Sequence, residues 1–415
     1  MVIRRVRWWS YRIPFVRPFA TAHGVHLHRD GIILQVETTD GQLGVGEAAP
    51  LPGFGGAGTV AARLLPSVAR RLVGAPVHPT AVAQVLHSLF PSPTYCLPGA
   101  AAVRCGVDVA ILDLLAQEAG KPLGELLPGF LDQDDAPPPG PPLAGGEATP
   151  HRPLASSPPR PSTPRVKAVP VNATVGAPEA GDAADLAAQA MAAGFETIKL
   201  KVGMAPDAKA EVERVAAVRA AIGPDAQLRL DANGAWLPDQ AIAVIRACEP
   251  YDLQLVEQPA AAGDVRGLAH IRQNVRTPIA ADESVTDGHA VCRLLAAGAV
   301  DVLVLKPMVI GSLDASLQLA ALGRESGVVS LVTSTLETGV GIAAAAHLAS
   351  ALPGGVPACG LATAALLQSD LLEQSLVVEA GQLRLPSTPG IGIQVDWSLL
   401  ARYTTGVNGI VESAA

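Results

Sequence analysis

The chain has 415 residues, 49% of them hydrophobic, with a net charge of −8 and an isoelectric point near 5.6. That length can bury a large core, as two domains or as one barrel with an attached domain. The acidic balance and the lack of any long Lys/Arg run argue against a nucleic-acid or membrane partner, and the N-terminus MVIRRVRWWSYRIPF lacks a signal-length apolar stretch, so a cytoplasmic protein acting on a small molecule is expected.

Residues 1–60 read as strands: RRVRWWSYRIPF, then GIILQVETTDGQLGVGEA, where the DG step between apolar runs predicts a hairpin. From 60 to 126 apolar positions recur at three and four residues, as in AAVRCGVDVAILDLLAQEA, so the first domain is α+β. His23, His26 and His28 alternate as on a strand, with no fourth ligand to make a zinc site. The five cysteines, Cys96, Cys105, Cys248, Cys292 and Cys359, are scattered and form no CxxC; they read as reduced thiols. Residues 131–164 are dominated by Pro, Gly, Ala and Ser, a composition that buries too little to offset ordering entropy, and are expected to be an exposed insertion.

From 168 the rhythm is strand then helix, seven times, beginning AVPVNATVG and ending VVSLVTSTLETGVG. The strands are continuously apolar, as parallel strands covered on both faces are. No Gly-rich nucleotide fingerprint follows the first of them, so a closed (β/α)8-type TIM barrel fits better than an open doubly wound sheet. ACGLAT, around Cys359, supplies a weak eighth strand, and a hairpin in SLVVEAGQLRLPSTPGIGIQVD is expected to pack back on the first domain.

Asp231, Glu257 and Asp282 each end an apolar run, spaced 26 and then 25 residues apart, with Lys199 and Lys201 one repeat upstream and Lys306 24 residues downstream. Barrel active sites lie at the C-terminal ends of the strands, so the three carboxylates converge there. A divalent cation resolves their repulsion, and an all-oxygen set suits Mg²⁺ better than zinc. Three independent salt-bridging residues are the alternative reading. Lys199 and Lys201, two apart on a strand, share a face, with Lys306 opposite. Lysines beside such a site point to removal of a proton next to a carboxylate.

KLKVG, RLDANGAW, VEQP, ADES and LKPM, in that order, resemble the enolase superfamily in its muconate lactonizing enzyme-like subgroup, over essentially the whole chain apart from the insertion. The resemblance implies that Asp231, Glu257 and Asp282 hold Mg²⁺, or Mn²⁺ in its place, that Lys201 and Lys306 are the acid/base lysines, and that Lys199 tunes Lys201. It implies an α+β capping domain over residues 1–126, completed by 375–415, on a barrel over 127–374. Loops around Arg17 to Val25 and Glu47 to Phe54 then close over a carboxylate substrate, and a homo-oligomer is expected. Fold alone does not choose among the subgroup's activities. Arg229, VLKPMVIGSL, TSTLETGVG and ACGLAT resemble the o-succinylbenzoate synthase branch, a lyase dehydrating 2-succinyl-6-hydroxy-2,4-cyclohexadiene-1-carboxylate in menaquinone biosynthesis. Arg229, Asn233, Gly311, Ser312, Ser334 and Thr335 are then the expected substrate contacts. N-succinylamino acid racemase, dipeptide epimerase and muconate cycloisomerase are rival activities, and a non-catalytic barrel is a remoter one. Dipeptide epimerases carry an aspartate-based motif late in the barrel, which has no clear equivalent here.

Overall fold

A computed structural model of the chain describes residues 1–21, 24–52, 58–78, 84–86, 88, 99–130 and 167–413. The insertion at 131–164, His23, Phe54 and Cys96 lie outside them. β1 (Ile3–Thr21) and β2 (Gly24–Thr38) form a long antiparallel hairpin, and the chain returns through Asp40–Gly41 into β3 (Leu43–Ala48). Gly41 has φ +85°, which glycine adopts with no Cβ penalty, so the DG step makes the turn its residues predict. Helix Ala100–Glu118 lies on this sheet at backbone distance: a side chain on Gly44 or Gly46 would collide with the carbonyls of Ala110 or Gly106. That helix is buried on most of its circumference because its other side meets the barrel, at Pro307–Ile310 and Gly311.

After the short β4 (Ala168–Pro170), the barrel runs as β5 (Ala173–Val175), β6 (Thr197–Lys201), β7 (Gln227–Asp231), β8 (Leu253–Glu257), β9 (Ile279–Ala281), β10 (Val302–Leu305) and β11 (Val329–Val332). β5 to β11 are parallel and pair in sequence order. Two residues close the ring. Cys359 bridges to Val171 and Gly360 to Thr333, with Asn172 N–H donating to Cys359 O (3.0 Å) and Gly360 N–H to Val332 O (3.0 Å). The weak strand around Cys359 is thus the eighth stave, cut to its minimum. Leu255, Ala280, Val302, Val304 and Leu331 form their own apolar cluster, apart from the continuous outer core, and fill the ring as branched side chains fill barrels of this kind.

Within the C-terminal segment, only the hairpin departs from the sequence reading, since Gly390 and Ile391 bond to Lys121, Leu123 and Asp113 of the first domain. That hairpin, β12 (Val378–Glu379) with β13 (Gln382–Arg384), does not pack on the first domain but extends β4, because the short β4 leaves a free edge beside it. What joins the first sheet is the later β14 (Thr404–Glu412), antiparallel to β1, giving the order β14-β1-β2-β3. Its TTGVNGIVE sequence holds two glycines and no clean alternation, which hides the strand. Among the described residues no helix is long and apolar enough to cross a membrane.

Candidate active site

Register brings the charged residues together. Lys201 pairs with Asp231 across β6 and β7, and Asp231 with Glu257 across β7 and β8; Glu257 then faces Ala280, so Asp282 follows one residue past the end of β9. Lys306 follows the end of β10. The three carboxylates are almost fully buried, at 1%, 2% and 3% exposure, and the cost of burying them is met by ammonium groups. Lys199 Nζ lies 2.8 Å from Asp231 Oδ2 and 2.6 Å from Glu257 Oε1, Lys201 Nζ lies 2.6 Å from Asp231 Oδ2, and Lys306 Nζ donates to both oxygens of Asp282.

The loops beyond the strands are held in strained shapes. Asn233 (φ +44°), Gln258 (φ +39°) and Leu336 (φ +66°) are all left-handed, a conformation that persists only where surroundings enforce it. Asn233 N–H donates to Asp231 Oδ1 (3.1 Å), while its side chain accepts from Lys201 Nζ (2.8 Å) and donates to Glu283 Oε1 (2.9 Å). Gln258 Oε1 accepts from the N–H groups of Asp282 (3.0 Å) and Ser284 (3.2 Å), which fixes the turn carrying Asp282.

Four carboxylates, counting Glu283, face three lysines, which leaves a buried deficit of positive charge. Its trace is visible in the proton affinities. Burial, and then the neighbouring Asp231, pushes Glu257 up to about 7 in spite of Lys199. Burial raises Asp282 and Glu283 against the opposing charge of Lys306. Burial alone would also raise Asp231, but Lys199 and Lys201 outweigh it and hold that carboxyl well below its usual range. Burial works against the charge on Lys199, yet Asp231 and Glu257 outweigh it and hold its ammonium above the ordinary lysine value.

The site opens into a pocket with three different walls. Lys199, Lys201, Asp231, Asp282, Glu283 and Lys306 make the charged wall. Thr333, Ser334, Thr335, Leu336, Thr363 and Leu366 make a second one, which carries hydroxyl and apolar groups. Phe19, His26 and Leu51 of the first domain also line it, Phe19 and Leu51 within the two loops expected to close there and His26 just past the first; residues 22–23 and 53–57 of those loops lie outside the described ones. Glu47 does not reach the pocket: it is fully buried and accepts from Tyr11 Oη, Thr338 N (3.0 Å), Thr338 Oγ1 (2.7 Å) and Gly341 N (2.8 Å).

Of the expected substrate contacts, Asn233, Ser334 and Thr335 line the pocket and three do not. Arg229 is in the ring but below the charged layer, where its guanidinium donates to Gln254 Oε1 (2.6 Å) and to Ala358 O (2.7 Å), so it fastens the closing segment and has no face toward a substrate. Gly311 and Ser312 are carried outward by the helical turn after Lys306. Gly311 packs on Ala101, and Ser312 Oγ caps helix Leu313–Glu325 by accepting from Ala315 N–H (3.3 Å). Glu283, Gln258 and Thr363 were missed, although ADES, VEQP and ACGLAT contain them; an acidic doublet directly after a strand was the available signal for Glu283.

Among the described residues no three His, Cys, Asp or Glu side chains are gathered to share an ion, because the lysines hold the carboxylates. The donor set nonetheless fits a hard divalent cation: three carboxylates on adjoining strand ends, all oxygen, carrying unbalanced negative charge.

Two family patterns cover most of the chain. The mandelate racemase / muconate lactonizing enzyme N-terminal domain matches residues 4–128, and the enolase C-terminal domain-like family matches residues 182–399. A hydrophobic dipeptide epimerase of Enterococcus faecalis is 30% identical over 402 residues, 95% of this chain and 99% of that protein. An o-succinylbenzoate synthase of Thermobifida fusca is 44% identical over 216 residues, 52% of this chain and 66% of that protein. A dipeptide epimerase from Cytophaga hutchinsonii, solved with Mg and D-Ala-L-Val, superposes with a TM-score of 0.81 at 25% identity over 99% of both chains.

Proposed function

The chain belongs to the enolase superfamily, and on that premise we propose that it is an o-succinylbenzoate synthase, removing the proton next to a substrate carboxylate and expelling a hydroxyl group. Asp231, Glu257 and Asp282 would hold Mg²⁺, or Mn²⁺ in its place, which supplies positive charge to the substrate carboxylate as its α-carbon loses a proton. Lys201, oriented by Asp231 and Asn233, takes that proton. Lys306, held by Asp282 on the other side of the pocket, faces the enediolate with its ammonium and steadies the developing charge. Lys199 stays charged between Asp231 and Glu257 and keeps both carboxylates in place. Lys201 then returns its proton to the departing hydroxide from the same face, so the C–H and C–O bonds break and water leaves. Phe19, His26 and Leu51 cover the pocket, and residues 1–126 serve as its cap.

The observation that carries the choice of substrate is the neutral wall. Thr333, Ser334, Thr335 and Thr363 offer hydroxyls, and Leu336 and Leu366 apolar surface, with no carboxylate among the described residues of that wall. The α-ammonium of a dipeptide would find no partner there, whereas a succinyl group can accept hydrogen bonds from the hydroxyls. Glu337, next in sequence to Leu336, is buried and accepts from Thr335 N–H (2.8 Å) and Thr335 Oγ1 (2.6 Å). The identity with the Thermobifida fusca enzyme supports the same reading.

Racemisation of N-succinylamino acids is the second reading, favoured by one lysine on each side of the pocket. One assay series separates them. The purified protein with Mg²⁺ is given 2-succinyl-6-hydroxy-2,4-cyclohexadiene-1-carboxylate, N-succinylamino acids in D₂O, and hydrophobic dipeptides. Dehydration with the highest kcat/KM is the expected result; faster α-proton exchange on either amino-acid class would replace the synthase by a racemase or epimerase.

A further inference from the structure

Arg29, on β2 of the first domain, is 2% exposed, and its guanidinium is surrounded by backbone carbonyls. Nε donates to Thr335 O (3.2 Å) and Leu336 O (3.2 Å) of the barrel, Nη1 to Pro50 O (2.8 Å) and Asp30 O (2.5 Å), and Nη2 to Ala49 O. Its targets are the two segments that bring Leu51 and Leu336 to the pocket, one from each domain. Leu336 is also the residue held at φ +66°, a backbone shape that needs outside support.

Glu47, on the adjacent strand, completes the grip. It accepts from the N–H groups of Thr338 and Gly341, at the start of helix Gly339–Ser350, so the cap's cation takes carbonyls of the 335–341 segment and its anion takes the amides. The planar guanidinium can reach carbonyls on both segments at once, which a lysine ammonium on a single stem cannot.

The geometry points to Arg29 as a positioning residue that sets how closely the cap's Leu51 and the barrel's Leu336 approach across the pocket, and so how tightly substrate is held. It never touches substrate; it acts through these two side chains. The assignment rests on the pocket being the active site, as proposed above.

Arg29→Lys and Arg29→Met test it by two independent readouts. In hydrogen exchange followed by mass spectrometry, amides of peptides covering 333–337 and Leu51 are expected to exchange about tenfold faster than in the wild type, while those of β6 stay unchanged. With the dehydration substrate, KM is expected to rise about tenfold with kcat altered less than about threefold, the mark of lost binding with the chemistry intact. Unchanged exchange at both segments overturns the proposal. So does a lowered unfolding temperature with KM untouched, which is what a merely structural arginine would give. If the wild type does not dehydrate the substrate, the functional reading falls, and the exchange measurement still decides whether Arg29 joins the two walls.

Discussion

The barrel mouth and the seam between cap and barrel both bury charged side chains, but they satisfy them differently. At the mouth, carboxylates meet ammonium groups that face a cavity. At the seam, Arg29 and Glu47 meet chiefly backbone groups, and Asp113 and His347 do the same: Asp113 accepts from Val45 N–H (2.9 Å) and Ile391 N–H (2.8 Å), while His347 accepts from Gly124 N–H (3.2 Å) and faces Ile391 O (3.2 Å). Backbone partners cannot move without unfolding something, so the seam is rigid. Side-chain partners can exchange for a substrate or a cation, so the mouth can react.

The sharpest break of that comparison is at the lysines. Lys201→Ala and Lys306→Ala are each expected to lower kcat by about 10³-fold in protein that still folds, the range for a lost acid/base group at Lys201 and for a lost charge stabiliser at Lys306. Full turnover in either folded variant would end the mechanism.

Chelation comes next. Dialysis against EDTA is expected to remove turnover by about 10²-fold or more and Mg²⁺ to restore it, and Mg²⁺ should raise the unfolding temperature in proportion to its saturation of the site. A protein indifferent to chelator and to added Mg²⁺ in both measurements would leave the carboxylates as salt-bridge partners only.

The seam should respond to pH in stability instead. Burial lowers His347 to about 4, from the 6.5 of an exposed imidazole. Below pH 6.5 the unfolded chain binds a proton that the folded one refuses, so this stabilisation is complete above 6.5 and is lost between 6.5 and about 4, by up to about 3 kcal/mol. Burial also raises Asp113 to about 6, which tilts the curve the other way over the same range. The wild type must therefore be compared with His347→Gln, whose amide can keep both hydrogen bonds without titrating. Chemical denaturation at pH 4.5 and 7.5 should show the variant more stable at the acid pH, relative to pH 7.5, than the wild type is; parallel curves would remove His347 from the account.

The smallest effect is expected on the neutral wall. Ser334 Oγ and Thr363 Oγ1 share one hydrogen bond (2.7 Å), so Ser334→Ala should cost about 1 kcal/mol of substrate binding, read as a severalfold higher KM, with kcat retained.

Much of this was legible before the fold was. Each of Lys201, Asp231, Glu257, Asp282 and Lys306 ends or follows a short apolar strand, and a strand end is a local property that five or six residues define. Arg229 shows the limit. Its spacing from Asp231 puts both on one face, but only depth in the ring separates a pocket residue from a buried tie to Ala358. Gly311 and Ser312 were misjudged for a related reason: four helical residues after Lys306 turn the chain outward, a rotation that linear distance does not record.

Alternation, apolar runs and turn residues act over a few positions, so the order of strands and helices and the charge at successive strand ends can be read along the chain. Only the folded chain shows that the weak strand around Cys359 shrinks to two residues, that β14 crosses back to β1, and that hydroxyl and apolar groups line the pocket beside the lysines. Those outcomes depend on register, depth and contacts between segments that are not neighbours in the chain, which a pattern of a few residues does not record.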